Sequence, residues 1–288
     1  MSDSPRIRYN DPEYTCSHVV DLERSIALAK CTFDEEPKFL SGEAVPPLYT
    51  STMDMEAYFG TLRACIPEGV YTGQTGGAHA ESDVYFHKPL AAGQTLTWSP
   101  VISQVIPSPA GALETMKHTY LDEGGEPVIT HLWTSISIGA TTDQFQGDKL
   151  PDHKFPEDAR ERLLGSETIF LPDTQGVAYF EASGDHAPHS RDLEAALAEG
   201  FPGLILQGMC TFGICAGVAT RLGGGGDSSR MTRLAARFTS PTLLGHDLTV
   251  DVFEISANPD GSTEVAFEAH QGDTYCVRHG RAVFAPPA

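Results

Sequence analysis

Phe86-His-Lys-Pro89-Leu-Ala-Ala-Gly93-Gln-Thr-Leu96-Thr97 reappears as Phe238-Thr-Ser-Pro241-Thr-Leu-Leu-Gly245-His-Asp-Leu248-Thr249, so that Phe, Pro, Gly, Leu and Thr coincide at one offset of 152 residues, the difference between 238 and 86. Each copy reads as a strand, a Pro/Gly turn and a second strand of alternating apolar residues. Proline presets φ in such a turn and glycine tolerates φ above zero. A repeat of this length governs the whole chain and is sought before any local assignment.

The surroundings of the two copies repeat as well. A helical apolar stretch precedes each copy (Met53 to Ile66; Leu206 to Leu222), and strand-like runs surround it. In the first half these are Val84 to Phe86, Thr95 to Val105, Glu114 to Tyr120 and Val128 to Ile138; in the second, Leu234 to Phe238, Leu248 to Ile255, Thr263 to Ala269 and Thr274 to Phe284. One helix followed by a strand meander, twice over, predicts an α+β protein with antiparallel pairing. Thr141 to Asp158 is polar and rich in Asp, Gly, Lys and Pro and reads as a linker, dividing the chain into residues 1–150 and 151–288. Leu204 to Ala219 is apolar on nearly every face, which predicts a helix buried all round. The glycines from Gly223 to Gly226 close that helix, and no Lys-Ser/Thr follows to make them a phosphate loop.

The 288 residues carry 39 acidic and 19 basic side chains, a net charge of −20, with 40% hydrophobic residues. That composition supports a packed core and repels phosphate backbones and anionic membranes at long range. No apolar run approaches the length of a spanning helix and the amino terminus carries no apolar signal core, so the expected location is the cytosol. The six cysteines are dispersed without a CxxC pair and are expected to be reduced and mostly buried.

The polar cluster that could carry chemistry is Ser183-Gly184-Asp185-His186-Ala187-Pro188-His189-Ser190-Arg191-Asp192, between the apolar Val177 to Phe180 and an Ala/Leu/Glu helix ending at Gly200. An Asp and two His within five residues suit proton transfer. Pro188 opposes the helical alignment that a metal site on the histidines would need. The plainer reading has Asp185 stabilising a turn, Ser190 capping the next helix and both histidines solvated.

Residues 180–190, followed by Gly200-Phe-Pro-Gly-Leu-Ile-Leu-Gln-Gly-Met-Cys-Thr-Phe-Gly213, resemble the active-site region of the MaoC-like, hydratase 2 family of hot-dog proteins. There the pattern runs S-G-D-x-N-P-[I/L]-H, a short helix, then G-F-x-x-P-I-L-H-G-[L/M]-C-T-F-G. Arg237-Phe238 through Leu248 is similar to the family's R-F-x-x-P-V-x-x-G-D-x-L. The resemblance implies a double hot dog, two curved antiparallel sheets each around a long helix, with a degenerate first half and the catalytic loop in the second. It also implies hydration of 2-enoyl thioesters of coenzyme A or acyl carrier protein, or the reverse dehydration, without metal or redox cofactor. A monomer or homodimer of double hot dogs is expected.

This chain departs from the pattern at Ala187, where the family has Asn, and at Gln207, where it has His. The family's catalytic His lies five residues after its Asp, a position held here by Ser190, while His189 lies four after. A one-residue gap keeps His189 as the catalytic His; an ungapped loop lacks the imidazole. With the gap, the expected catalytic residues are Asp185, His189 and the amide of Gly208, and the expected substrate-binding residues are Ser190, Gln207, Phe212, Arg233 and Arg237. Arg230 joins the last two in the densest basic cluster, suited to pantetheine phosphates or a carrier protein. Cys210 and Cys215 read as helix packing, and His87, His118, His131 and His279 as structural or solvated. The altered loop leaves two alternatives open: a hot-dog thioesterase, and a noncatalytic acyl-thioester-binding subunit with a decayed site.

Overall fold

The computed structural model describes residues 15–55, 76–99, 101–140, 146–147 and 150–287. The first half begins with β1 (Cys16–Val19), α1 (Leu22–Cys31) and the short α2 (Pro37–Leu40), then a helical turn over residues 50–55. The rest of the helix expected from Met53 to Ile66, with Cys65, lies outside the described residues. Strands β2 (Gly76–Phe86), β3 (Thr95–Trp98), β4 (Val101–Ser108), β5 (Gly111–Leu121), β6 (Pro127–Ile138) and the two-residue β7 (Gln146–Gly147) follow. The expected strand from Thr95 to Val105 is therefore two strands, the first ending at Trp98 and the second beginning at Val101.

The second half runs β8 (Leu163–Phe170), α3 (Gln175–Ser183), α4 (Leu193–Ala198), β9 (Ile205–Leu206), α5 (Gly208–Gly223), β10 (Met231–Phe238), β11 (Thr242–Leu243), β12 (Asp247–Ala257), β13 (Thr263–Gln271) and β14 (Thr274–Phe284). Twelve strands form one antiparallel sheet in the order β1-β3-β5-β6-β2-β10-β14-β13-β12-β8, with β4 on β5 and β7 on β4. The path reads the same from its centre outward in both halves, with β1 followed by α1 at one end and β8 followed by α3 at the other. Strand β8 gave no sequence signal because it is an edge strand whose residues are all at least partly exposed.

Strands β2 and β10 join the halves. Asp83 pairs with Ala235, residues separated by the repeat offset, so the local two-fold relating the copies passes between them. Two ion pairs cross this seam: Arg233 Nε and Nη2 meet the Asp83 carboxylate at 2.9 and 2.8 Å, and Arg237 Nε meets Glu81 at 2.6 Å.

Helix α5 is buried from Met209 through Thr220, and the sheet of β8, β10, β12, β13 and β14 packs round it. Its internal glycines cost up to about 1 kcal/mol each in helix propensity, whereas full burial of side chains such as Phe212, Ile214 and Val218 contributes about 1.5–3 kcal/mol each. Burial wins. Gly213 is required by packing, since a Cβ there would lie 2.6 Å from the Thr32 methyl at the end of α1.

Arg233→Ala leaves the buried Asp83 carboxylate without its counter-ion, with the Tyr85 hydroxyl still donating to it at 3.1 Å, and is expected to destabilise the fold by on the order of 3 kcal/mol. Denaturant unfolding of Arg233→Ala, Asp83→Ala and the double variant checks this, the double variant being less damaged than the sum of the singles.

Candidate active site

Helix α3 ends at Gly184, whose φ of +79° provides the left-handed residue that turns the chain out of the helix. Arg24, on α1 of the first half, donates from Nε to the Ala182 carbonyl (3.1 Å) and from Nη2 to the Ser183 carbonyl (3.0 Å), holding the end of that helix. Asp185 follows, its amide donating to Ser183 Oγ and its Oδ1 accepting from the Ala187 amide, both at 3.1 Å. Burial pushes the Asp185 carboxyl above its ordinary range, against the opposing effects of the Ala187 amide and the two loop histidines. His186 is exposed and sets its ring edge-on to Phe180, which also carries the Arg191 guanidinium on its face.

The side chains of His189 and Ser190 leave the loop in different directions. His189, expected beside Asp185, instead places Nδ1 2.7 Å from a Glu199 carboxylate oxygen and its ring edge-on to Phe201. Ser190 is fully buried. Its hydroxyl donates to the Ala187 carbonyl (2.8 Å) and accepts from Gln207 Nε2 (2.9 Å), at the residue preceding α5. The inward position of the loop is thus the fifth after Asp185, the geometry of the ungapped register. Gly176 makes room for it, since a Cβ at Gly176 would lie 2.1 Å from the Ser190 carbonyl oxygen. The next helix, α4, is capped by Asp192, whose Oδ1 accepts from the amides of Glu194 and Ala195, and not by Ser190.

Gln207 donates through Nε2 to the Gly176 carbonyl as well, which fixes its amide orientation, and its Oε1 is buried with no partner among the described residues. The amides of Gly208 and Met209, in the first turn of α5, likewise bind no acceptor among the described residues. An unpaired acceptor and two unpaired donors therefore meet at the tip of the buried helix.

The remaining expected residues are engaged elsewhere. Phe212 is fully buried in the core, edge-on to Phe238. Arg233 and Arg237 are neutralised by Asp83 and Glu81 across the seam, in place of the expected open anion site. Arg230 donates to the carbonyls of Ala285, Gly224 and Gly261. Cys31, Cys210, Cys215 and Cys276 are free thiols, and burial pushes Cys210 and Cys215 far up, consistent with packing.

A second polar cluster, whose connectivity the sequence did not reveal, lies in the first half. Asp54, fully buried at the helical turn, accepts from His118 Nδ1 (2.8 Å), His131 Nδ1 (2.6 Å) and the Tyr120 hydroxyl. Burial by itself would raise this carboxyl; His131 and His118 hold it well below the usual range. His131 Nε2 lies 3.0 Å from Ser82 Oγ, which in turn lies 3.1 Å from His79 Nε2. The His79 ring stacks flat on Trp133 at 3.7 Å and touches Phe238. Residues 79 and 82, three apart, would face opposite sides of a regular strand; a bulge between His79 and Glu81 turns both inward. The available signal was a carboxylate in an apolar helical stretch, with two histidines on neighbouring strands, now seen to be directly paired in register.

The MaoC like domain profile matches residues 156–273. Over 184 residues the chain is 28% identical to 3-hydroxyacyl-thioester dehydratase Y of Mycobacterium tuberculosis (61% of each chain), and over 167 residues 26% identical to a probable enoyl-CoA hydratase 2 of Dictyostelium discoideum (56% of this chain, 54% of the relative). The chain thus spans little more than half the length of these curated relatives. A MaoC-like dehydratase structure from Phytophthora capsici superposes with a TM-score of 0.76 over 96% of this chain and 95% of that one, at 21% identity. With a repeated antiparallel sheet, a second half wrapped round a buried helix and the matched segment over that half, the chain carries a MaoC like domain at residues 156–273 and has the double hot-dog fold.

Proposed function

We propose that the protein adds water to a 2-enoyl thioester of coenzyme A or acyl carrier protein, or removes it from the 3-hydroxyacyl thioester. The observation that carries this reading is the pair of unbound amides at Gly208 and Met209, beside a loop whose Asp185 carboxyl is raised by desolvation. The thioester oxygen accepts from the Gly208 amide, where the helix dipole favours the negative charge that develops as the enolate forms. Asp185, with its raised affinity for a proton, delivers that proton to C2 as the water oxygen bonds to C3, and the proton that this oxygen then loses restores the Asp185 carboxyl. Gln207 Oε1 accepts from the incoming water. The family resemblance over residues 180–213 and the relatives' names support the same substrate class.

Ala187 and Ser190, in positions where the family pattern has Asn and His, favour a second reading, an acyl-thioester-binding subunit without turnover. Loss of crotonyl-CoA absorbance with formation of a 3-hydroxyacyl product supports hydration; thiol release indicates thioester hydrolysis; binding without either supports the second reading.

Asp185→Asn is expected to lower hydration by at least about 10²-fold. The same substitution leaves thermal stability at pH 7 unchanged or raised. The sign follows from the raised folded-state pKa: below the ordinary carboxylate value both folded and unfolded forms are protonated, and the cost of the buried charge grows as pH rises through that value to the folded one. Asparagine carries no such charge and can still accept from the Ala187 amide. Turnover and melting temperature measured together separate the two effects.

His189→Ala removes an imidazole directed at Glu199, and is expected to change kcat by less than about tenfold, the scale of a part-exposed ion pair. A loss as large as that of Asp185→Asn in steady-state assays would restore the gapped register.

A further inference from the structure

We propose that His79, a residue of the first half, is the imidazole that exchanges a proton with the substrate water at the tip of α5, and that Ser82, His131 and Asp54 form the chain that positions and supports it. This rests on the hydratase reading above, and it places in the seam between the halves the imidazole that the loop carries as Ser190.

The hydrogen bonds define the chain's direction. The Glu81 carbonyl, 3.1 Å from His79 Nε2, can only accept, so Nε2 carries the proton and Nδ1 presents its lone pair. The same Nε2–H lies 3.1 Å from Ser82 Oγ, and the Ser82 hydroxyl, 3.0 Å from His131 Nε2, donates onward when His131 is neutral. His131 Nδ1 then donates to ionised Asp54 at 2.6 Å. Ser82, His131 and Asp54 are each fully buried, so bulk solvent does not interrupt this path. Ser82 is closed in by His79, His131 and the Met209 sulfur, which removes it as a nucleophile towards a thioester despite its Ser-His-Asp order.

The free end of the chain faces the helix tip. His79 Nδ1 has no hydrogen-bond partner among the described residues, and a Cβ built on Gly208 would lie 3.8 Å from it. The unpaired Gly208 amide and unpaired Gln207 Oε1 belong to the same tip. Burial, with the neighbouring His131, pushes the His79 imidazole down to about 3, so the resting ring is neutral and its Nδ1 lone pair is available. An imidazolium formed there is desolvated, and its support comes through the chain to the Asp54 carboxylate.

In hydration the water oxygen bonds to C3 as His79 Nδ1 takes one of its protons, the alkene electron pair moves onto the thioester as an enolate at the Gly208 amide, and Asp185 protonates C2. One water is added; the proton left on His79 returns to Asp185 through solvent, and the enzyme is restored. Dehydration is the reverse.

The test compares wild type, His79→Ala, His79→Phe, Ser82→Ala and Asp54→Asn in crotonyl-CoA hydration. The phenylalanine variant keeps a flat ring against Trp133, and its melting temperature checks that the fold survives. Expected is a fall in kcat of about 10²- to 10⁴-fold for both His79 variants with KM little changed, and of about tenfold for Ser82→Ala. Asp54→Asn serves only if it keeps its melting temperature, and is then expected to fall with Ser82→Ala. Wild-type turnover in folded His79→Phe, or a rise in KM alone, overturns the assignment while leaving the hydratase reading intact. In parallel, the ¹⁵N resonances of His79, assigned by their loss in His79→Phe, are followed as the saturated thioester butyryl-CoA is added. A shift of Nδ1 on binding supports contact with the acyl thioester even if wild type does not hydrate crotonyl-CoA, which would count against the hydratase reading only. Binding of butyryl-CoA without any change at His79 overturns the inference.

Discussion

The antiparallel pairing of β2 with β10 is the constraint on which the rest of the molecule depends. Each half by itself would expose the edge of its sheet, and an exposed edge is a liability. Joining the two copies of one motif edge to edge covers both at once, with Asp83 opposite its own repeat equivalent Ala235. The carboxylates of Asp83 and Glu81 then face guanidinium groups of Arg233 and Arg237 from the other half. These charges are half-buried to buried, so their pairing specifies the seam as well as stabilising it.

The seam also explains why the tip of α5 receives side chains from both copies. The second half supplies the helix terminus, Gln207 and the Asp185 loop. Through Arg24, α1 of the first half grips the helix end from which that loop departs. Through β2, the first half brings His79 against Phe238 and Gly208. The halves have diverged in what they carry. The second copy holds a loop with a desolvated carboxyl, and the first holds a buried carboxylate satisfied by two histidines and a tyrosine.

Such a buried network is costly unless every member is paired. Asp54 has three donors, and Ser82 bridges two imidazoles. His118 Nε2 is the member left without a partner among the described residues. An arrangement of this kind, ending on an unpaired nitrogen at a helix tip, differs from the surface ion pairs elsewhere in the chain, such as Arg162 with Asp158, which are largely exposed and contribute little.

The sequence alone determined the repeat, most of its strands and the buried helix of the second half, because hydrophobic periodicity and Pro/Gly turn chemistry are local and survive in the order of residues; the exposed edge strand β8 carried no such periodicity. It also located the Asp185 loop, through the family resemblance of residues 180–213. The register of that loop was beyond its reach: His189 and Ser190 are adjacent, and which one faces inward depends on the short turn after Pro188 and on Gln207 reaching back from 17 residues away. Arg233 and Arg237 read as an open basic cluster because their partners lie 150 and 156 residues earlier. The network from Asp54 to His79 was hidden for the same reason: its members are scattered over separate elements, and only pairing in register and a one-residue bulge turn them onto one face. Contacts between distant segments are products of folding, so the tertiary structure alone decided them.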